Sequence, residues 1–524
     1  MNHTIYEILS AYPSTGEVGN DIVRAAVRAQ IASSLCFDSR LAVSGAIFFC
    51  LVGKTSDGHR FAPAAYRAGC RVFVVERPIE LPADALQWVV DNSRHALADC
   101  AAAFYDHPER EVRLVGLTGT KGKTTTAILT RYLLTTSGIP AGYIGTNGVD
   151  FANCHYSTLN STPESLDIYR YLRQMADAGI RACIMEISSQ ALWMERIRGL
   201  VFDSTLFTNL SRDHIGGVEH PDMEHYRASK RRLFTDYPAR ATILNGDDPA
   251  AVYMANGATA STVLSFSVDE SAKNFVGVNN TYTRTPLWTA CALRPGRLEG
   301  RIGTFFDVFR DGLSMGYDWF IPLPGRFNVQ NALAALSVVC ERFGVPPAKL
   351  RKRLAMATVP GRFETVRHPA VPDVIFVIDY AHNGISMASI LDALRVYEPT
   401  RLIALFGSVG GRTRERRRDL ALAAARRADL CILTSDNPAD EPPMDILHDI
   451  DTAFPPDACP RILEPDRAEA IRLAVDMAEP GDIILLAGKG HEDYQLIGTR
   501  HIPFSELRVL EDAFLLRESR MSFR

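Results

Sequence analysis

No apolar run in this 524-residue chain approaches the length of about 18 residues that a membrane-spanning helix needs. Its ten cysteines include no C-x-x-C pair, which argues for reduced core thiols and against a zinc site or a disulfide frame. Neither sign of charge is in large excess. A formal net charge of -4 gives no reason to expect nucleic acid or an anionic membrane surface as a partner. The opening residues, Met1 to Glu17, carry no basic segment followed by an apolar core, so we expect no signal peptide and a cytoplasmic location. Internal repeats and low-complexity tracts are missing too. The rest is ordinary globular composition, 47% hydrophobic and 23% charged. At roughly 150 residues per domain the length predicts three or four domains.

Against this background one segment stands out, Leu114-Val-Gly-Leu-Thr-Gly-Thr-Lys-Gly-Lys-Thr-Thr-Thr126. Leu114, Val115 and Leu117 read as a buried strand. The chain then loops through Gly119, Thr120, Lys121 and Gly122 and restarts as a helix from Lys123 to Thr136. Glycines let backbone N–H groups crowd around phosphate oxygens, and the helix N-terminus adds positive potential. Lys123 is suited to the β/γ-phosphates and the Thr124 hydroxyl to Mg²⁺, with Thr125 beside it. The general pattern G-x-x-x-x-G-K-[ST] wants glycine where this chain has Leu117, so the loop is a variant of that class.

Two shifts in composition suggest boundaries, at Tyr105–Arg110 and at Ala357–Arg362. They predict an N-terminal domain over 1–107, a central nucleotide-binding domain over 108–357 and a C-terminal domain over 358–524. In the central part Ala182–Ile187, Ser204–Asn209 and Ala241–Asn245 are short apolar runs with helical patterns between them. Val374–Asp379, Leu402–Phe406, Leu430–Thr434 and Ile483–Ala487 repeat the arrangement near the C-terminus. Such alternation implies α/β domains with parallel sheets covered on both faces, which bind ligands at the carboxyl ends of their strands. Each of these strands runs into a polar or glycine-rich cluster: Glu186–Gln190, Asn209–His214, Asn245–Asp248, Asp379–His382, Gly407–Gly411, Ser435–Pro438 and Gly488–Glu492.

Together with Asp38-Ser-Arg40, Asp57-Gly-His59, Thr162-Pro-Glu164, Gly325–Asn331 and VPGRFE, these clusters resemble the Mur ligase family of peptidoglycan synthesis over almost the whole chain. They most resemble its branch that adds a diamino acid. The resemblance implies three α/β domains, a central P-loop domain with a parallel sheet and a C-terminal Rossmann-like domain. It also implies an ATP-dependent amide ligase that activates a carboxylate as an acyl phosphate. Glu186 and Thr124 would hold one Mg²⁺, and His214 matches a ligand of a second. Lys230 matches a lysine carbamylated in the family, although by residue type alone it is a helix-face lysine beside Arg231 and Arg232. Lys123, Lys230 and His214 would then be catalytic. Asn328 and Asn331 match adenine contacts, with Arg362 and Asp379 matching phosphate and ribose contacts from the third domain. ATP held from both sides of a domain junction implies closure that keeps water from the acyl phosphate.

For the substrate UDP-N-acetylmuramoyl-L-alanyl-D-glutamate, Ser39 and the Lys54-Thr55-Ser56 loop match the uridine end, while Ser161, Thr162, Ser188 and Arg196 match the sugar and peptide. Asp436, Asn437, Gly488 and Glu492 match the amino-acid site. In diaminopimelate-adding relatives the motif reads Asp-Asn-Pro-Arg, the arginine clamping a carboxylate; here it reads Asp436-Asn-Pro-Ala439. With Asp440 and Glu441 following, we expect L-lysine ahead of meso-diaminopimelate. Gln190 replaces the usual histidine of MEVSSHAL, and Gly216 and Gly217 replace part of DHLDYH. The Arg412–Arg418 cluster is a solvated helix start or lies near phosphate. We expect a monomer with no nucleic-acid partner and no membrane insertion. Folylpolyglutamate-type ligation and a non-catalytic, nucleotide-gated binding protein are the alternatives.

Overall fold

The structure, a computed structural model, describes residues 3–53, 56–212, 215–216, 219–268, 275–276, 283–284, 287–411 and 413–522. The chain divides into two compact units. One holds Met1–Thr289, Phe309–Leu313 and Gln330–Leu350; the other holds Ala290–Val308, Ser314–Val329 and Arg351–Arg524.

The first unit contains two large sheets and a two-stranded ribbon, Phe275–Val276 against Thr283–Arg284. The smaller sheet runs in the order Gly16–Val18, Leu86–Val89, Val72–Val75, Ala46–Phe49, Ser34–Cys36, parallel except at its first edge. Its strands are apolar at nearly every position because both faces are covered. Phe48 and Phe73 pack with Ala62 and Ala65 on one face, while Ile47, Phe49, Val72 and Val74 join the cluster of Leu97 and Cys100 on the other.

The larger sheet carries the phosphate loop. Its elements are β1 (Arg113–Thr118), α1 (Lys123–Thr136), β2 (Ala141–Gly145), β3 (Ala182–Glu186), β4 (Phe202–Phe207), α2 (Met223–Thr235), β5 (Ala239–Asn245) and β6 (Thr262–Ser267). These strands stand in the order β6-β5-β4-β1-β3-β2, all parallel. Because β3 and β4 flank β1 on opposite sides, the chain changes direction there, and the crevice at the β1 carboxyl end is where such a sheet takes ligands. Leu117, the residue that breaks the general P-loop pattern, is fully buried inside β1. The helix α3 (Arg326–Phe343) follows in the chain.

The second unit has its own parallel sheet. We label β7 (Ile375–Asp379), α4 (Gly384–Arg395), β8 (Leu402–Phe406), α5 (Arg414–Ala425), β9 (Leu430–Leu433), β10 (Arg461–Leu463), α6 (Arg467–Asp476), β11 (Ile483–Ala487), β12 (Tyr494–Ile497), β13 (Arg500–Pro503) and α7 (Glu506–Ser522). The order is β7-β11-β8-β9-β10, with Glu364–Val366 antiparallel on β7. Ile403, Leu405, Ile484 and Leu486 form its core with Ile471 and Val475 of α6 and Leu510 and Phe514 of α7. No helix among the described residues is long and apolar enough to cross a membrane.

Candidate active site

The loop between β1 and α1 is shaped by two glycines. A Cβ on Gly119 would lie 1.9 Å from Thr208 Oγ1, and one on Gly122 2.4 Å from Asn331 Oδ1. Gly122, with φ +83°, caps α1 without a side chain, so the helix N-terminus stays open to an anion. The segment after β4 braces the loop. Thr120 N–H donates to Asn209 O (2.8 Å), Lys121 N–H to Asn209 Oδ1 (2.9 Å), and Thr208 Oγ1 to Lys121 O (2.7 Å). Thr125 is buried on the first turn of α1, and Thr126 Oγ1 donates to Asn331 Oδ1 (3.2 Å). Asn328, also buried on α3, donates through Nδ2 to Pro324 O (2.8 Å).

Two lysines converge on one carbonyl. Lys123 Nζ and Lys230 Nζ each donate to Gly119 O at 2.9 Å, and Lys123 also reaches Thr120 O at 3.2 Å. Lys230 is 1% exposed, with its Nζ 4.4 Å from the Tyr226 ring centroid. The structure therefore removes Lys230 from the solvated helix face and sets it against the phosphate loop. On the other side of α1, Thr124 Oγ1 donates to Glu186 Oε2 (2.9 Å). Glu186 is fully buried and also receives Tyr143 O–H, Thr146 N–H (3.0 Å) and Thr146 Oγ1 (3.2 Å). A hydroxyl and a carboxylate oxygen so close supply the hard donors that Mg²⁺ prefers. Among the described residues no group of three or more His, Cys, Asp or Glu side chains forms a metal cluster. His214 lies outside the described residues, as do Lys54, Thr55, Gly217 and Arg412.

Ser161, Thr162, Ser188 and Arg196 are brought together. Thr162 is fully buried; its hydroxyl donates to Glu186 O (2.9 Å) and accepts from Ser188 N–H (3.0 Å). Ser188 caps the helix Ser189–Trp193, and Ser161 Oγ lies within hydrogen-bond distance of Thr146 Oγ1 (3.0 Å). Arg196 donates to Thr162 O (3.2 Å), and its Nε lies 3.0 Å from Glu164 Oε1 without hydrogen-bond alignment. Desolvation holds its guanidinium below the ordinary arginine range, offset by Glu164. Ser39 opens a short turn capped by Asp38, and exposed Ser56 accepts from Gly53 N–H (2.9 Å). His59 is buried between Asp57 Oδ1 (2.6 Å) and Glu76 N–H (3.0 Å), which fixes its Nδ1–H tautomer. A cavity of about 380 Å³ opens beside Gly53, lined by Arg94, His95, Trp193 and Glu195.

In the second unit, the carboxyl ends of β7, β9 and β11 gather Asp379, Asp436, Asn437, Gly488 and Glu492. Asp379 Oδ2 accepts from Phe363 N–H (2.9 Å), and burial pushes its carboxyl up against the pull of Arg362. Arg362 stacks over the Tyr380 ring, 4.7 Å from its centroid. Asn437 Nδ2 donates to Glu492 Oε2 (2.9 Å), and Gly488 sits so close that a Cβ would lie 3.0 Å from Asp436 Oδ2. One expectation is corrected. Glu441 does not offer its charge to an incoming amine, because Arg417 takes both its oxygens (2.8 and 2.6 Å) and Gly411 N–H adds a third bond. Arg417 itself is 2% exposed and is also held by Asp449 (2.7 Å), so this part of the arginine cluster is structural.

Sequence reasoning missed Tyr143 and Thr146, which hold Glu186, and Lys489 and Arg467, which hold the second edge. Lys489 lay in a quoted motif, but nothing in Gly-Lys-Gly says that the lysine points inward.

Family models match along the chain: "Mur ligase family, catalytic domain" at residues 32–105, "Mur ligase middle domain" at 117–339 and "Mur ligase, glutamate ligase domain" at 361–490. A UDP-N-acetylmuramoyl-L-alanyl-D-glutamate--2,6-diaminopimelate ligase of Chlorobaculum tepidum is 39% identical over 496 residues, covering 93% of each chain. One of the same name from Geobacillus thermodenitrificans is 36% identical over 92% of this chain and 94% of its own. A solved structure of a ligase of that name superposes with a TM-score of 0.66 at 26% identity, covering 99% of this chain and 100% of the other.

Proposed function

This chain belongs to the Mur ligase family, and on that premise we propose that it joins a carboxylate of UDP-N-acetylmuramoyl-L-alanyl-D-glutamate to an amine of a diamino acid, with ATP becoming ADP and phosphate. A carboxylate is a poor electrophile. Its oxygen must first take the γ-phosphoryl group, giving an acyl phosphate that the amine attacks with loss of phosphate. That first step forces two anions together and needs cations aimed at the phosphoryl oxygens. The observation that carries the reading is Lys123 at the open N-terminus of α1, beside Thr124 and Glu186, with Lys230 buried against the same loop carbonyl.

Lys123 leaves the loop carbonyls for the β/γ-phosphates when nucleotide binds, and Thr124 and Glu186 would hold Mg²⁺, which would supply charge neutralisation at the phosphates. Lys230, as a carbamate, and His214 support a second ion. Asn328 and Asn331 serve adenine, Arg362 phosphate and Asp379 ribose. The cavity beside Gly53 and Ser56 receives the UDP-sugar, and Arg94 and Arg196 supply positive charge beside Thr162. Arg196 acts through Thr162 and Glu164 as much as on substrate, since both hold it.

Asp436, Asn437, Gly488 and Glu492 take the amino acid. The names of the relatives favour meso-diaminopimelate. A second reading, L-lysine, is favoured by Ala439, which offers a distal carboxylate no donor side chain.

Phosphate release and product mass test the proposal, with ATP, Mg²⁺, the UDP-muramoyl dipeptide and either diamino acid. Release should require every component. Turnover with a folate and glutamate instead would establish folylpolyglutamate ligation. ATP binding without release in any mixture would establish a nucleotide-gated binding protein.

A further inference from the structure

Lys489 has no exposed side-chain surface, and no step above uses it. Its Nζ donates to Glu492 Oε2 (2.7 Å) and to Asn437 Oδ1 (2.8 Å), and lies 3.9 Å from Asp436 Oδ1 and 5.0 Å from the Tyr494 ring centroid. Asn437 Oδ1 also accepts from Leu496 N–H (2.9 Å), so its amide can turn only one way, with Nδ2 toward Glu492 Oε2. Both donors therefore fall on the same Glu492 oxygen. The other, Oε1, meets only the Tyr380 hydroxyl among the described residues, at 3.4 Å. Asp436, 2% exposed, has an Oδ1 with no hydrogen-bond partner among the described residues.

We propose that Lys489 is a positioning residue for the amino acid: by occupying Glu492 Oε2 and Asn437 Oδ1 it leaves Glu492 Oε1 as the acceptor for an incoming ammonium group. The proposal rests on the reading of this sheet edge as the amino-acid site. A buried lysine is an unusual device for that task, because a cation beside carboxylates weakens their pull on another cation. Its value is orientational. Without it the Asn437 amide loses one of two bonds on Oδ1, and Glu492 is free to fold onto Asn437 with either oxygen.

Lys489→Met tests this, with Lys489→Gln keeping a donor without the charge. In Lys489→Met the KM for the diamino acid should rise about tenfold or more, while the KM values for ATP and for the UDP-muramoyl dipeptide stay within about twofold. Lys489→Gln should recover part of the loss, and it carries the test if the methionine variant does not fold. Glu492→Gln is the control for the site itself and should raise the same KM. If Glu492→Gln raises the amine KM and Lys489→Met does not, the positioning role is wrong. A fall in kcat with all three KM values unchanged also overturns it, since a merely structural lysine would behave so. If neither variant changes the amine KM, the assignment of this edge to the amino acid is what fails.

Discussion

Glu186 has no accessible surface, yet four donors meet its carboxylate: Tyr143 O–H, Thr146 N–H and Oγ1, and Thr124 Oγ1. An amide in its place can keep its oxygen on the Thr146 N–H and turn its NH₂ toward the Thr124 and Thr146 hydroxyls, which accept as well as donate. Glu186→Gln should therefore cost no more than about 1 kcal/mol of stability, read by urea melts, because every partner keeps a hydrogen bond. If it holds Mg²⁺, phosphate release should fall far more than the fraction folded. Unchanged turnover in a folded Glu186→Gln would remove it from the metal site. Lys230 invites a different test, because the proposed function has it act as a carbamate. Lys230→Ala empties a buried space beside Gly119 O, and activity should nearly vanish. A short carboxylic acid or bicarbonate should restore part of it by standing where the carbamate does. Wild-type turnover in the alanine variant would end the carbamate reading.

Among the elements, α6 does more than cover its sheet. Its first residue, Arg467, is 1% exposed and donates to Ser435 O (2.9 Å) after β9, to Ala487 O (2.8 Å) at the end of β11, and to Glu506 Oε1 (2.7 Å) of α7. It thus ties together the two strand ends that carry Asp436 and Gly488. Arg467→Met should destabilise the protein by about 3–5 kcal/mol, since Glu506 is left buried without its partner. Burial already pushes the Glu506 carboxyl up against the pull of Arg467, and the variant loses that pull. A carboxyl raised in the folded state binds its proton more tightly there than in the unfolded chain, so the variant's stability falls as pH rises through that value. The deficit against wild type should be smaller at about pH 5 than at about pH 8 in urea melts. A deficit independent of pH would show that Glu506 is not the group responsible. This tie also shows what a sequence exposes and what it hides. The helix Lys123–Thr136 and the strands Leu402–Phe406 and Ile483–Ala487 have the bounds their apolar runs predict, because glycine or polar clusters end each run. The strand Trp288–Leu298 contains Arg294, Pro295 and Gly296, and its mixed exposure gives no periodic signal. Arg467 and Lys489 were illegible for a related reason: a charged side chain reads as surface until the fold supplies its buried partners.

At the scale of the whole molecule the open choice is the amino acid, and two lines of argument oppose each other. Ala439 holds φ +51°, with its N–H on Leu496 O (3.0 Å) and its carbonyl accepting Gly498 N–H (2.9 Å). Its backbone is stitched to β12, and its methyl group has nothing to give a carboxylate. A distal carboxylate left unpaired there would cost on the order of several kcal/mol, which favours L-lysine. Against this stand relatives at 39% and 36% identity named as 2,6-diaminopimelate ligases. Their chemistry can be met here only if another cation replaces the missing one. Arg417 is excluded, being locked to Glu441 and Asp449. Arg416 is better placed: its Nε donates to His382 O (2.9 Å), and its charge helps draw down the Asp436 carboxyl, which burial raises. Adjacent cation and carboxylate suit the two ends of an amino acid. We therefore expect meso-diaminopimelate to have the higher kcat/KM. Arg416→Ala should lower that value by about 10- to 100-fold while moving the value for L-lysine little, since a clamp for the distal carboxylate has no work on a substrate without one. A wild-type preference for L-lysine would instead make Ala439 the deciding residue, and Ala439→Arg should then raise the diaminopimelate value, because the guanidinium would supply the partner this chain lacks.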